Sequence, residues 1–426
     1  MKPSKDFIKG LFSGFILSLF VCYSFFRIYW IMEIGVKYFQ WHAVLWLYTL
    51  VFIIFLGIGY FLYKYGKLKN PIIQKFYLVC LGLLIGLYTA EIYLRIRGNY
   101  ITYSEQREGV FINPAERTQS TWHMKWLPHE TKMLEFASEY AFIRYTNSEG
   151  FSDKEWTIEK DTNEVRIITF GDSFTEGDGC STESTYPNVL LGLLQNQFQS
   201  VKITVMNAGR SGSDPWFEYK KLEDIFLKYK PDIIIYTNGS NDLLYDHLIY
   251  GGMERFANDF TVKNKIPKHW WIGFYEISHL FRACTSYMGY DETFFSYNER
   301  EKNKQMSIKD SKILSIEYSK LAIRNKFTCV QLIRPEKSEL ENSFYDFDMK
   351  TLLTDMDTLS NYRTFDLMQF YIDSLNINSI NSKNYFWKID AHHNAKGYEA
   401  MAKAVFSYLK PIVNEKIIEV NRKPNF

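Results

Sequence analysis

Three times between Val165 and Asp242 a short run of β-formers stops at a cluster of small polar residues, and this repetition limits the fold more than any other feature. Val165 to Phe170 stops at Gly171, Asp172 and Ser173, and Val201 to Met206 stops at Asn207, Ala208 and Gly209. Ile233 to Tyr236 leads into Asn238, Gly239, Ser240, Asn241 and Asp242. Between the runs the apolar residues fall at helical spacing: Val189, Leu190, Leu193, Leu194 and Phe198 after Pro187, then a second set from Pro215 to Tyr229. Strand and helix alternating at this interval predict βαβ units and a parallel sheet covered on both faces, an α/β three-layer body.

The pattern weakens from about 250 to 310, where Trp270, Trp271 and the charged stretch Asn298 to Lys304 suggest an insertion. It resumes with a helix from Ser311 to Asn325, a strand from Thr328 to Ile333 ended by Pro335, and a strand near Tyr362 to Phe365. The last helix, Asn394 to Leu409, puts Tyr398, Met401, Val405, Phe406 and Leu409 on one face, with Asn394 as N-cap and Pro411 as stop.

The front of the chain differs in kind. Up to Arg97 it has eleven Lys and Arg against three Asp and Glu, so its basic excess is hidden in the total of +2. Leu11 to Phe26 and Ala43 to Tyr63 carry no charge, and Pro71 to Leu94 carries only Lys75 and Glu91. These lengths predict three transmembrane helices, at about 11–31, 43–63 and 72–94. A cleaved signal peptide would explain only the first. Lys2, Lys5 and Lys9 precede the first span, and Lys64, Lys67, Lys69 and Lys75 lie between the second and third. The positive-inside rule then places the N-terminus in the cytoplasm and everything beyond Arg97 outside. The expected organisation is a membrane anchor over 1–97, a stalk over 98–160 that packs on the body, the catalytic body over 161–412, and a tail over 413–426.

In an open parallel sheet, ligands bind beyond the carboxyl ends of the strands, so the three polar clusters share one rim. A fourth, Asp390, Ala391, His392, His393 and Asn394, precedes the last helix. Each cluster alone reads as ordinary turn and cap chemistry. Their joint order is more specific: GDSFTEGDG, NAGRSG, GSND and DAHHNAKGY resemble, in sequence, the four blocks of the SGNH or GDSL hydrolase superfamily. A few spans followed by an extracytoplasmic body also resembles its membrane-bound esterases and O-acyltransferase-like proteins.

The resemblance implies that Ser173 is the nucleophile, with a histidine as base and Asp390 to orient it. The implied oxyanion donors are the backbone N–H groups of Ser173 and Gly209 and the side-chain amide of Asn241. Such a set is what acyl transfer needs: an activated hydroxyl, a held base and donors aimed at the developing oxyanion. The resemblance leaves two choices: the family's block is often written with two residues between Asp and His, which selects His393, whereas many members have an Asn two and a Gly five residues after the histidine, which Asn394 and Gly397 match for His392. The forward spacing is preferred, because the helix start fixes where the imidazole lies.

The implied activity is hydrolysis of acyl esters, above all acetyl esters, on an envelope or extracellular glycan. O-acyl transfer to a sugar hydroxyl is the alternative, and it would need a donor or a multi-span membrane partner. A non-enzymatic glycan-binding or assembly module is the third reading. Phosphate chemistry is disfavoured, since there is no GxxxxGK[ST] loop, and so is the α/β-hydrolase elbow, since there is no G-x-S-x-G. The five cysteines show no CxxC pair or metal-ligand spacing, so no metal or organic cofactor is expected. A mildly acidic body without clustered Arg or Lys gives no reason to expect nucleic acid.

Overall fold

The computed structural model describes residues 39–422 apart from 101–126, 137–138, 259–260, 350–351, 353–355 and 357. The chain divides into two units, Met1–Thr102 with Lys268–Phe294, and Tyr103–Pro267 with Phe295–Phe426.

The first unit contains α1 (Phe39–Lys64) and α2 (Pro71–Arg97), with two shorter helices, Ile272–Ile277 and His279–Tyr287. Asn70 caps α2 by accepting the Ile72 N–H at 2.9 Å, and Pro71 occupies the first turn, where its missing N–H costs nothing. The rings of Phe55 and Tyr77 stack at 4.9 Å between the two long helices. Among the described residues α2 is the one helix long and apolar enough to cross a membrane, and Thr49–Lys64 is a shorter apolar helix. Of the three expected spans, the one at about 72–94 coincides with this candidate, and the one at about 43–63 falls within α1. The span expected at about 11–31 lies outside the described residues.

Glu91, the acidic residue within the third apolar stretch, is fully buried and has four partners. It accepts Arg95 Nε at 2.7 Å, Ser278 Oγ at 2.8 Å, and the N–H groups of His279 and Leu280 at 3.0 and 2.8 Å. A buried carboxylate requires such compensation, and the N-terminus of the helix His279–Tyr287 supplies it.

The second unit is built on a parallel sheet. A hairpin of β1 (Thr131–Phe136) and β2 (Tyr140–Tyr145) precedes β3 (Glu164–Phe170), α3 (Ser173–Glu176), α4 (Tyr186–Gln197), β4 (Lys202–Asn207), α5 (Pro215–Asp224) and β5 (Ile233–Asn238). α6 (Tyr297–Asn325), β6 (Thr328–Ile333), β7 (Tyr362–Asp366) and α7 (Ala395–Asn421) follow. The five strands lie in the order β4-β3-β5-β6-β7, all parallel. The chain leaves β3 for one neighbour and returns to its other side, so the topological switch point falls at the carboxyl end of β3. Thr169 is in register with both Asn207 and Ile235, so β4 ends one residue before β3 and β5 runs two residues beyond it.

Alternation of side chains divides the core into two layers. Val165, Ile167, Ile233 and Ile235 pack under α4 and α7, through Leu190, Leu194, Met401 and Val405. Ile168, Phe170, Ile234 and Tyr236 pack on the other face against Trp216, Leu314 and Tyr318 of α5 and α6.

Two sequence expectations need correction. The charged stretch Asn298 to Lys304 belongs to the opening turns of α6, which a capping box between Ser296 and Glu299 starts at Tyr297. Pro411 does not stop the last helix, which runs through it to Asn421. Proline removes one hydrogen bond from a helix interior, and burial of Ile412, Val413, Ile417 and Val420 offsets that loss.

Candidate active site

Ser173 is the first residue of α3, directly beyond the fully buried β3. Its N–H is one of the donors that a helix start leaves without an intrahelical partner. Asp172 caps the turn by accepting the Phe174 N–H at 3.0 Å, and its other oxygen accepts Arg334 Nη2 at 2.6 Å. The Arg334 guanidinium lies 3.6 Å from the centroid of the Phe174 ring, and that ring lies 4.8 Å from the ring of His392. Arg334 thus fixes both residues that flank the serine.

Gly209, in the loop after β4, packs directly on the nucleophile turn. A Cβ there would fall 2.4 Å from the Glu176 nitrogen and 2.6 Å from the Thr175 carbonyl carbon, so only glycine lets the two loops meet. Its N–H is donated to Asn207 Oδ1 at 3.1 Å. Asn241 lies exposed just beyond β5, where Asp242 accepts the Gly239 N–H at 2.7 Å and closes the loop. All three expected oxyanion donors therefore follow the carboxyl ends of three adjacent strands, β4, β3 and β5.

The two histidines have different surroundings. His392 Nε2 lies 2.7 Å from Ser173 Oγ, and His392 Nδ1 lies 2.7 Å from Asp390 Oδ2. Ala391 between them adopts a left-handed conformation, φ 63°, which folds the Asp-x-His segment on itself. His393 points the other way, into the core. Its ring is 4.3 Å from Phe386 and 5.4 Å from Tyr398, and its Nδ1 is 3.3 Å from the Tyr385 carbonyl. Burial, and secondarily the positive charge of Arg334, lower the pKa of His393 to about 3.

Four contributors were not visible as site residues in the sequence. Tyr140 donates its hydroxyl to Asp390 Oδ2 at 2.6 Å, and Glu139 accepts the N–H groups of Lys388, Ile389 and Asp390. Arg144 in β2 forms buried ion pairs with Asp178 and with Glu176, the latter at 3.4 Å, beneath the nucleophile loop. Arg334 immediately follows β6, so a polar residue at that strand end was its available signal. The hairpin residues offered none, because their partners lie far along the chain. Among the described residues no group of three or more His, Cys, Asp or Glu is arranged to hold a metal ion.

Residues 167–265 match the family model described as GDSL-like Lipase/Acylhydrolase. A search of curated proteins finds no match. Similar solved structures include a two-domain esterase active on acetylated mannans, at 13% identity and TM-score 0.34, covering 58% of this chain and 50% of that one. The chain thus spans about half the length of that esterase. Others are the acetyl xylan esterase AlAXEase, at 14% identity and TM-score 0.36 over 57% of this chain and 100% of that one, and a lipase/acylhydrolase from Enterococcus faecalis, at 16% identity and TM-score 0.31 over 58% and 96%. The polar loops after β3, β4 and β5 all lie inside the matched segment, so the similarity to GDSL-like lipases and acylhydrolases rests on residues of the candidate site.

Proposed function

We propose that the protein is a serine esterase in which Ser173, His392 and Asp390 form the catalytic triad. The observation that carries this reading is the continuous chain of contacts from Ser173 Oγ to His392 Nε2 and from His392 Nδ1 to Asp390 Oδ2. With Nδ1 donating to the carboxylate, Nε2 carries the lone pair and faces the serine.

Ser173 Oγ forms the new bond to the ester carbonyl carbon while His392 Nε2 takes its proton, and the oxygen charge of the tetrahedral intermediate falls to the oxyanion donors. Collapse breaks the bond to the alcohol, which leaves with the proton from His392. Water then repeats the sequence on the acyl-enzyme, releasing the acid and restoring Ser173. The N–H of Ser173 and the side chain of Asn241 are the readiest oxyanion donors. Gly209 N–H joins them when Asn207 Oδ1 releases it.

The location completes the reading. In this reading the apolar α2 anchors the chain in a bilayer together with the apolar stretches before it, and the basic flanks of those stretches put the body outside. Acetyl esters on an envelope or extracellular glycan are then the substrate class. The test is acetate release from acetylated glycans by the full-length chain in detergent, with Ser173→Ala as control. Release that depends on Ser173 supports the esterase reading. Transfer of acetyl to added sugars in preference to water would make the enzyme an acyltransferase instead.

A further inference from the structure

The triad aspartate has an unusual position. Asp390 lies in a loop between Trp387 and His393 that has no regular secondary structure, one residue from the histidine it must orient, and the intervening Ala391 is in a left-handed conformation that costs about 1 kcal/mol. The backbone closes the loop at its base, where Trp387 N–H donates to the His392 carbonyl at 2.8 Å, and leaves the carboxylate open to a donor from outside. The hairpin is in position to supply one.

We propose that the hairpin β1–β2, which lies outside the matched segment 167–265, completes the site: Tyr140 is a positioning residue that fixes Asp390 for His392, and Glu139 fixes the backbone that carries Asp390. The proposal rests on the triad reading above. Tyr140 Oη donates to Asp390 Oδ2 at 2.6 Å, the same oxygen that accepts His392 Nδ1 at 2.7 Å. A carboxylate rotates about a soft terminal bond, and a second donor on the shared oxygen selects which oxygen meets the imidazole. The Tyr140 ring is itself set by Trp387, 4.9 Å away, whose Nε1 donates to the Gly179 carbonyl at 2.9 Å. The donor on the triad acid is therefore tied to the loop that follows the nucleophile.

Glu139 acts one residue earlier on the hairpin and on the backbone instead. Its carboxylate accepts the consecutive N–H groups of Lys388, Ile389 and Asp390, the last two at 2.9 and 3.0 Å. Three converging donors hold the segment immediately before the left-handed residue. Tyr140 and Glu139 therefore act on the reaction through Asp390, whereas Arg144 of the same hairpin braces Glu176 and Asp178.

The test is steady-state hydrolysis of p-nitrophenyl acetate by the full-length chain in detergent. Tyr140→Phe keeps the ring and removes only the hydroxyl. The expected result is a fall in kcat of about tenfold to a hundredfold, the effect of one hydrogen bond to a charged group, with KM and thermal midpoint unchanged. Glu139→Gln should lower kcat in the same way, which gives a second route to the answer. If both variants keep wild-type kcat while Ser173→Ala is inactive, the hairpin is packing alone and the proposal is overturned with the triad intact. If KM rises while kcat holds, the hairpin contacts substrate and the positioning role is equally overturned. If Ser173→Ala retains activity, the triad reading fails first, and the proposal fails with it.

Discussion

His392 Nε2 lies 2.7 Å from the hydroxyl of Ser173, although 219 residues separate the two in sequence. The contact exists because the last helix packs under the same sheet face as α4, through Met401 and Val405, and so brings the loop before it over the end of β3. Nδ1 of the same imidazole is held by Asp390, so one ring links the first polar cluster of the body to the last.

Adjacent histidines with opposite surroundings predict opposite phenotypes. His392→Ala should lower kcat for an aryl acetate by about ten-thousandfold or more, with KM little changed, because the base acts in the transition state. His393→Ala should retain turnover in the folded fraction but lower the thermal midpoint, since it opens a cavity beside Phe386 and Tyr398. Kinetics on both variants, normalised to active-site content, check the assignment.

The pH dependence of stability follows from His393. Its pKa is lowered from 6.5 to about 3 in the fold, so between these values the unfolded chain binds a proton that the folded chain does not. The stabilisation is complete above about 6.5 and is lost as pH falls toward 3. In wild type this one residue should tilt stability by up to about 1.4 kcal/mol per pH unit across that window. His393→Gln should flatten the slope, which denaturation midpoints measured at stepped pH will show.

How far the sequence reaches depends on the distance over which each signal acts. The strands from β3 to β7 were legible because a buried parallel strand is a run of β-formers with a turn at its end. Ser173, His392 and Asp390 could be proposed from sequence because two local blocks, GDSFTEGDG and DAHHNAKGY, carry them. Pro411 misled because helix propensity is local, whereas burial of Ile412, Val413 and Ile417 is not. The charged opening of α6 misled because the start of that helix depends on the Ser296 and Glu299 capping box and leaves most of the first turns facing solvent. Tyr140, Glu139 and Arg144 were invisible because a tyrosine, a glutamate or an arginine in a hairpin is ordinary until its distant partner is known.

Gly209 predicts a steric phenotype distinct from loss of chemistry. Gly209→Ala places a carbon against backbone atoms of Thr175 and Glu176, and backbone yields less readily than a side chain. Activity should fall at least a hundredfold and the thermal midpoint should fall with it, whereas Ser173→Ala should leave the midpoint near wild type. Comparing the two melting curves separates a displaced nucleophile turn from a missing hydroxyl.

The Glu91 contacts predict a local opening of the first unit. Glu91→Ala leaves Arg95 buried without its carboxylate and frees the helix start at Ser278, a loss of about 3 to 5 kcal/mol for a broken buried pair. Limited proteolysis in detergent should then cut within Lys268–Phe294 at protease levels that leave wild type intact.

The central claim is that Ser173 is made reactive by His392. Treating the full-length chain with a fluorophosphonate and locating the adduct by mass spectrometry tests it most directly. The account predicts a single adduct on Ser173 that is absent from Ser173→Ala, nearly absent from His392→Ala and retained in His393→Ala. Equal labelling of Ser173→Ala, or wild-type labelling of His392→Ala, would contradict it.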